Sequence, residues 1–156
     1  MTINLKVPES AVTITVKEVP LSNYIKQKDK ELDKEMDHRM EDLFENKLVY
    51  SREASDQNYN KHSMFFHILL LDEIIGYFIC VAAQYEHSAW LNGFYIDKKY
   101  RSKGYGKEAL DKLKELMKAK DYNKLALSVV HGNPAERLYR KNGFDKIIST
   151  SLLCEI

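Results

Sequence analysis

The segment from Tyr100 to Leu110, YRSKGYGKEAL, places two glycines among basic side chains immediately before a helical pattern. Gly104 and Gly106 allow the backbone to approach a ligand closely, and the start of a helix offers unpaired N–H groups and a positive dipole end. The basic side chains of the segment are those of Arg101, Lys103 and Lys107. This combination predicts a site for a phosphate or pyrophosphate, and the alternative is a glycine-rich surface turn with solvated lysines.

Two other phosphate-binding motifs do not fit this loop. A Walker A loop requires Ser or Thr after Gly-Lys, but Glu108 follows Lys107. Gly104, Gly106 and Ala109 satisfy a relaxed dinucleotide fingerprint, yet that fingerprint also requires an acidic residue at the end of the next strand. The predicted strand LALSVV supplies only a serine there, so neither motif explains the loop.

A further candidate for a functional position is Gly93, which interrupts the strand pattern AWLNGFYI. A glycine within a strand predicts a bulge or a close approach of a ligand to the backbone. Unpaired N–H groups at a bulge can stabilise a developing oxyanion. The alternative is that Gly93 makes room for Trp90 or Phe94.

The first half of the chain predicts an antiparallel sheet interrupted by helix. The pattern VTITVKEV, from Val12 to Val19, alternates apolar and polar residues as a strand does. Neither Gly nor Pro occurs between Leu21 and about Leu48, where apolar residues at helical spacing predict one long helix or two consecutive ones. Further along, MFFHILLL and IIGYFICVAA predict a hairpin that turns at Asp72 and Glu73, and AWLNGFYID predicts a third strand beside it.

The second half predicts a parallel crossover. Helical spacing begins at Tyr105 and is followed by the strand LALSVV, from Leu125 to Val130. A strand, a helix and a further strand in this order form a right-handed crossover with parallel strands. The predicted fold class is therefore α/β, with antiparallel N-terminal strands, one parallel strand-helix-strand crossover, and helices on both faces of the mixed sheet.

A short helix is predicted within NPAERLYRKNG, because both of its ends carry capping signals. Asn133 is a preferred N-cap, Pro134 suits the first helical position, and Glu136 suits a capping box. Asn142 and Gly143 predict a left-handed turn at the C-terminus. A final strand, FDKIISTSLL, is predicted after the helix.

Composition excludes several classes of protein. The chain has 156 residues, 44% hydrophobic and 30% charged, and a formal net charge of +1. The length predicts a single domain over residues 1–156. The small net charge predicts that the protein binds neither nucleic acid nor a membrane. No signal peptide or spanning segment is evident in the sequence. Cys80 and Cys154 have neither redox nor metal-ligand spacing, which predicts buried thiols and a cytoplasmic protein without a metal site.

Two segments of the second half together resemble the GNAT superfamily of N-acetyltransferases. The run FYIDKKYRSKGYGKEAL contains the family motif R/Q-x-x-G-x-G/A as Arg101, Gly104 and Gly106. The run LALSVVHGNPAERLYRKNGF is similar to the second family signature. Its matching residues are Asn133, Ala135, Leu138, Tyr139, Gly143 and Phe144.

The resemblance implies binding of acetyl-CoA and direct transfer of its acetyl group to an amine. It places the pyrophosphate on the amides of Arg101 to Gly106 and the pantetheine arm along Phe94 to Ile96, where the next strand splays away. Asn133 would contact the cofactor, although its role as an N-cap also explains it. The implied cofactor-binding residues are Phe94, Tyr95, Ile96, Arg101, Ser102, Lys103, Gly104, Tyr105, Gly106, Lys107 and Asn133.

The implied chemistry requires an acid and a neutral amine. Tyr139 is the residue that the resemblance places beside the thioester sulfur, and a tyrosine can protonate the leaving thiolate. A lysine-like amine is neutral only about once in 2,500 molecules at pH 7, a cost of about 4.6 kcal/mol. Trp90 stands where some members have a glutamate base, so His131, Glu86 and His87 are the remaining candidates, with water as the alternative.

The acceptor is not named by the sequence beyond a small-molecule or protein amine. Acidic residues recur every fourth position from Asp29 to Glu45, which indicates either a solvated helix face or a wall that attracts a cationic acceptor. A non-catalytic acyl-CoA-binding or sensor module is the alternative function, and a nucleotide-dependent oxidoreductase is a more distant one. The sequence leaves the oligomeric state open, a homodimer included.

Overall fold

A computed structural model describes the protein at residues 13–20, 63–129, 132–152, 154 and 156. The helices predicted after Pro20, the acidic stripe from Asp29 to Glu45 and the candidate base His131 lie outside the described residues. Among the described residues, no helix is long and apolar enough to cross a membrane.

In the part of the chain that the structure describes, five strands form one mixed sheet, in which the spatial order follows the order along the chain. β1 to β4 pair antiparallel, whereas β5 pairs with β4 in parallel. The strands are β1 (Ile14–Val19), β2 (Ser63–Leu70), β3 (Glu73–Ala82), β4 (Ser88–Ile96) and β5 (Lys124–Ala126). The helices are α1 (Tyr105–Ala119), which makes the crossover, α2 (Ala135–Lys141) and a 3₁₀ turn (Lys98–Tyr100). This arrangement confirms the predicted α/β class, the antiparallel first strands and the parallel crossover.

The main core lies between the sheet and α1. Ala109, Leu110, Leu113 and Met117 are the buried residues of α1, and their spacing puts them on one face of the helix. They pack on buried side chains of the first four strands, and the half-buried Leu138 of α2 joins the same cluster. The opposite face of the sheet carries a smaller buried cluster of Phe65, Tyr77, Ile79 and Tyr95.

The predicted bulge at Gly93 is confirmed. Ile79 of β3 lies opposite Gly93, and Cys80 lies opposite Leu91, so Asn92 is the extra residue and is exposed. A Cβ atom at Gly93 would lie 3.1 Å from Ile79 Cδ1, so the glycine makes room for the Ile79 side chain.

The bulge also decides which side chains face α1. Leu91 and Phe94 are three residues apart, and in a regular strand they would point to opposite faces of the sheet. The extra residue restores them to one face, and both belong to the cluster that packs on α1. Phe94 thereby reaches the end of the sheet where the glycine loop begins.

Four features differ from the sequence prediction, and the first is Cys154, a predicted buried thiol that is exposed. The hairpin turns at Leu71 and Asp72, where Leu71 has a φ of 56°, so that Glu73 already belongs to β3. β5 ends at Ala126 and not at Val130. The strand predicted for FDKIISTSLL is wrong over Phe144 to Leu152, because these residues pair with no described strand and Ile147 and Leu152 are 75% and 94% exposed.

Candidate functional site

The glycine loop turns the chain from β4 into α1 through two left-handed residues. Ser102 has a φ of 61° and Gly104 a φ of 84°, and Gly104 is the N-cap of α1. The first intrahelical bond runs from the Glu108 amide to the Gly104 carbonyl oxygen, at 3.3 Å. The amides of Tyr105, Gly106 and Lys107 therefore have no intrahelical acceptor, which is the arrangement that binds an anion.

Gly106 lies where β4, α1 and α2 meet. A Cβ atom at this position would lie 3.3 Å from Leu138 Cδ2, 3.5 Å from Phe94 Cζ and 3.7 Å from Ile96 Cδ1. Any side chain longer than a methyl group would enter the space between these elements. The glycine thus keeps this space open, whereas Gly104 serves the turn alone, because no atom lies within 4 Å of its hypothetical Cβ.

A cleft of about 320 Å³ occupies this junction. It is bounded by the end of β4, the glycine loop and the inner face of α2, and these segments are well separated in sequence. Its lining residues are Phe94, Ile96, Tyr100, Arg101, Ser102, Gly104, Gly106, Lys107, Ala135, Leu138 and Tyr139. Among the described residues, therefore, the two segments that carry the family resemblance form the walls of one cavity.

Tyr139 lies on the α2 wall of the cleft. Its ring centroid lies 6.2 Å from that of Phe94 and 5.9 Å from that of Phe144. These contacts hold the half-buried ring between the sheet and the turn that follows α2. Tyr139 therefore contributes to the cleft wall an aromatic side chain that carries a proton donor.

The ends of α2 follow the sequence prediction with one exception. Asn133 Oδ1 accepts a hydrogen bond from the Ala135 amide at 3.0 Å. Pro134, the residue before the assigned start of α2, already has helical angles (φ −57°, ψ −24°), so it takes the first helical position and Asn133 serves as the cap. The prediction of a capping box is wrong. The Glu136 carboxylate instead accepts two hydrogen bonds from the Arg140 side chain, one helical turn later.

The C-terminus of α2 forms the predicted left-handed turn. Gly143 has a φ of 96°, and the Phe144 amide donates to the Tyr139 carbonyl oxygen at 3.1 Å. The Gly143 amide donates to the Arg140 carbonyl oxygen at 3.3 Å, which completes a Schellman motif. The contact between the Tyr139 and Phe144 rings is the hydrophobic interaction that often accompanies this motif.

β4 and β5 separate at the level of the cleft. Their pairing covers Ser88 to Trp90 on β4 and Lys124 to Ala126 on β5. β4 continues as a strand to Ile96, whereas residues 127–129 have no strand pairing. The divergence agrees with the predicted splay beside Phe94 to Ile96.

The basic side chains of the loop contribute less to the cleft than the sequence suggests. Arg101 Nε donates to the Ile96 carbonyl oxygen at 2.8 Å, and its guanidinium lies 5.1 Å from the Tyr95 ring centroid. Lys107 forms an ion pair with Asp111 at 3.0 Å, and Lys103 is exposed and does not line the cleft. The backbone amides are therefore the main groups at the start of α1 that are available to an anion.

Three other candidate cofactor residues are not among the lining residues of the cleft. Tyr95 lies on the opposite face of the sheet, where it stacks on Tyr77 with centroids 5.7 Å apart. Tyr105 packs against the main core, and Asn133 uses its side-chain oxygen in the cap of α2. Only the backbone of these residues, or the remaining polar atoms of Asn133, can serve a ligand in this arrangement.

The candidate bases Glu86 and His87 lie in the turn before β4, roughly 20 Å from Phe94 at the usual rise of a strand. The His87 ring contacts the Asp121 carbonyl oxygen at 3.0 Å and the Glu86 carboxylate at 3.3 Å. The structure therefore does not bring them to the cleft, and no Asp, Glu or His is among the described lining residues.

Tyr100 is a lining residue that sequence reasoning missed. Its hydroxyl donates to Glu73 Oε2 at 2.7 Å, and this hydrogen bond raises the pKa of the Tyr100 phenol. Ala135 and Leu138 were recognised only as parts of a signature, although their spacing from Tyr139 puts all three on one face of α2. That helical spacing is the signal that could have identified them as cleft residues.

Comparisons with known proteins agree on a family. The sequence profile described as Acetyltransferase (GNAT) family matches residues 30–144, which is more than half of the chain. A search of curated proteins finds no match.

Several solved structures share the fold. YycN of Bacillus subtilis, a protein assigned as an acetyltransferase, has a TM-score of 0.68 and 19% identity, and the alignment covers 92% of this chain and 100% of that one. The ribosomal-protein-alanine N-acetyltransferase of Brucella melitensis has a TM-score of 0.61 at 14% identity, with 92% and 100% covered. The aminoglycoside acetyltransferase meta-AAC0020 from an uncultured soil sample has a TM-score of 0.56 at 14% identity, with 92% and 95% covered. At these identities the likeness extends to the fold alone.

Proposed function

The chain belongs to the GNAT acetyltransferase family, and on this premise we propose that it is an acetyl-CoA-dependent N-acetyltransferase. In this proposal it transfers the acetyl group directly to the primary amine of a small molecule or a protein. A cytoplasmic location, predicted from the cysteine usage, is part of the proposal. The observation that carries it is the single cleft between the glycine loop and α2, which contains anion-binding amides at one wall and the Tyr139 phenol at another.

The residues of the cleft fit coenzyme A. The amides of Tyr105, Gly106 and Lys107 suit a pyrophosphate, because they lack intrahelical acceptors and lie at the positive end of the α1 dipole. Phe94, Ile96 and Leu138 provide the apolar wall that a pantetheine arm requires. When bound, acetyl-CoA supplies an activated acetyl thioester.

Tyr139 is the proposed general acid. Its hydroxyl can donate a proton to a leaving thiolate, and the neighbouring Phe94 and Phe144 rings hold the Tyr139 ring in place. General acid catalysis of this kind contributes about 10²- to 10⁴-fold to a rate.

Removal of the proton from the acceptor amine is assigned to His131 or to water. The described cleft residues include no carboxylate or imidazole, and Glu86 and His87 lie at the far end of β4. A water molecule that enters between the diverging β4 and β5 could take the proton, because the pairing of these strands ends at Trp90. Deprotonation of a lysine-like amine before it reacts costs about 4.6 kcal/mol at pH 7.

The proposed acceptor class is a primary amine without further restriction. Solved structures with this fold include an enzyme named for aminoglycosides and one named for a ribosomal-protein alanine. Both kinds of acceptor therefore belong in a first screen of this protein, together with polyamines, for which the acidic stripe from Asp29 to Glu45 is the motivating feature.

Thermal unfolding with and without acetyl-CoA tests the cofactor. At a concentration of 100 times its Kd, a ligand stabilises the folded state by about 2.7 kcal/mol, so a clear rise in Tm is expected. NAD at the same concentration is the control and should produce no comparable rise. If acetyl-CoA leaves Tm unchanged, the proposal is wrong.

Release of free thiol from acetyl-CoA, measured across the amine screen, tests the enzymatic activity. Turnover with at least one amine is expected. Acetyl-CoA binding without turnover on any acceptor would instead support a non-catalytic acyl-CoA-binding module. The feature that favours this alternative is Trp90, which stands where some family members have a glutamate base.

A further inference from the structure

Lys114 extends from α1 to the turn that ends α2. Its Nζ donates to the Asn142 carbonyl oxygen and lies 5.6 Å from the Phe144 ring centroid. A Cβ atom at Gly143 would lie 3.7 Å from the same Nζ. One half-buried ammonium group therefore contacts Asn142 and Phe144 and lies beside Gly143, the residue between them in the Schellman turn.

The positive charge of Lys114 is favourable at the C-terminus of α2. The C-terminus of a helix carries a partial negative charge and exposed carbonyl groups, so a cation there is favourable, and partial burial reduces its screening by solvent. Asn142 is only 7% exposed, and its side-chain amide donates to the Leu138 carbonyl oxygen at 2.8 Å. The turn that Lys114 contacts is thus a closely bonded unit and not a frayed helix end.

This turn is directly connected to Tyr139. The Tyr139 carbonyl oxygen accepts hydrogen bonds from the amides of Asn142 and Phe144, at 3.0 Å and 3.1 Å. The Phe144 ring, which lies beneath the Lys114 ammonium group, also contacts the Tyr139 ring. A displacement of the turn would therefore displace the phenol.

Two contacts fix α2 along α1. Near the start of α1, Gly106 approaches Leu138, and Lys114 lies roughly 12 Å further along the same helix, where it holds Asn142. A single contact would leave α2 free to pivot, whereas two define its orientation.

We propose that Lys114 is a positioning residue, which fixes α2 and thereby Tyr139 against the cleft. Its effect on turnover rests on the proposed acetyltransferase function, but its effect on the order of α2 does not.

The experiment compares Lys114→Met with Lys118→Met. Met retains the apolar stem but removes the ammonium group. Lys118 is exposed on the same helix and the structure gives its side chain no ion pair among the described residues, so its variant matches the loss of charge. Hydrogen exchange of residues 135–144, the Kd of acetyl-CoA by calorimetry, and kcat with an active amine are measured for both variants and for the wild type.

For Lys114→Met, exchange of the α2 amides should become about tenfold faster. Its kcat should fall about tenfold, because a displaced catalytic group loses rate steeply. The Kd of acetyl-CoA should stay within about twofold of the wild-type value, since the anion-binding amides lie at the other end of α1. Lys118→Met should leave all three quantities unchanged, and Lys114→Arg, which keeps a cationic donor, should restore most of kcat.

The proposal is overturned if α2 exchanges in Lys114→Met as it does in the wild type. It is also overturned if kcat and Kd worsen equally in Lys114→Met and Lys118→Met, since the loss of charge alone would then explain the effect. An inactive wild type would contradict the proposed function and leave the exchange comparison to decide the role of Lys114. Should Lys114→Met be too unstable to purify, Lys114→Gln is measured by the same criteria.

Discussion

Tyr139 is the cleft residue on which the proposed chemistry depends most. We expect Tyr139→Phe to lower kcat about 10²- to 10⁴-fold, because the variant cannot donate a proton to the leaving thiolate. The Kd of acetyl-CoA should stay within about twofold of the wild-type value, since the aromatic ring and its contacts with Phe94 and Phe144 remain. Steady-state kinetics and calorimetry on the same preparation measure both quantities.

Tyr122 provides a matched control for this substitution. It is half-buried against the same core but does not line the cleft, so Tyr122→Phe should retain the wild-type kcat. If Tyr139→Phe also retains it, Tyr139 is not the acid.

Two residues that the sequence suggests as ligand contacts, Arg101 and Asn133, use their side chains to stabilise the fold. Arg101 donates to the Ile96 carbonyl oxygen and stacks on Tyr95, so its side chain fixes the loop against the end of β4. Asn133 likewise caps α2. Residue type alone could not separate these roles, because an arginine or an asparagine offers the same donors to a ligand as to the backbone.

At the level of elements, the bulge in β4 determines which side chains of this strand face α1 and the cleft. A Cβ at Gly93 would lie 3.1 Å from Ile79 Cδ1, closer than a relaxed contact allows. We expect Gly93→Ala to lower the free energy of unfolding by about 1 to 3 kcal/mol through overpacking. Urea denaturation measures the change.

A double-mutant cycle tests the stated cause. Ile79→Val removes the Cδ1 atom, so Gly93→Ala should cost at least about 0.5 kcal/mol less in the Ile79→Val background than in the wild type. Asn92→Ala, at the exposed residue of the same bulge, should change stability by less than about 0.5 kcal/mol. Strict additivity of the first two substitutions would refute the proposed clash.

At the level of the whole molecule, the buried Cys80 thiol makes the stability of the folded protein depend on pH. Burial, with a smaller contribution from the Glu18 charge, raises the pKa of the Cys80 thiol from 9.0 to about 12. The unfolded chain therefore loses this proton at a lower pH than the folded protein does. Stability from this group is fully present below about pH 9 and falls as the pH rises, by up to about 1.4 kcal/mol per pH unit.

Denaturation at several pH values from 8 upward, on wild type and Cys80→Ala, isolates this effect. The variant is expected to be less stable at pH 8 because of the cavity, but its stability should fall less steeply above about pH 9. Other groups titrate in both proteins and cancel in the comparison. Parallel pH profiles for the two proteins would show that the thiol does not control this decline.

Features that depend on neighbours along the chain could be predicted from the sequence. Alternation located β1, helical spacing located α1, and Asn133 and Gly143 marked both ends of α2, because local backbone preferences and local hydrogen bonds decide them. The GNAT resemblance was also readable from contiguous residues, whereas anion binding by the glycine loop stays a prediction. The extent of the domain over residues 1–156 stays a prediction.

Features that require partners distant in sequence depend on the tertiary structure. Phe94, Gly106 and Tyr139 line one cleft, whereas Glu86 and His87 lie at the other end of β4. Phe144 to Leu152 pair with no described strand, and a strand forms only where another strand offers its backbone. Lys114 had no signal at all in the sequence. A lysine among many on an amphipathic helix acquires its role only from the helix end that packs beside it.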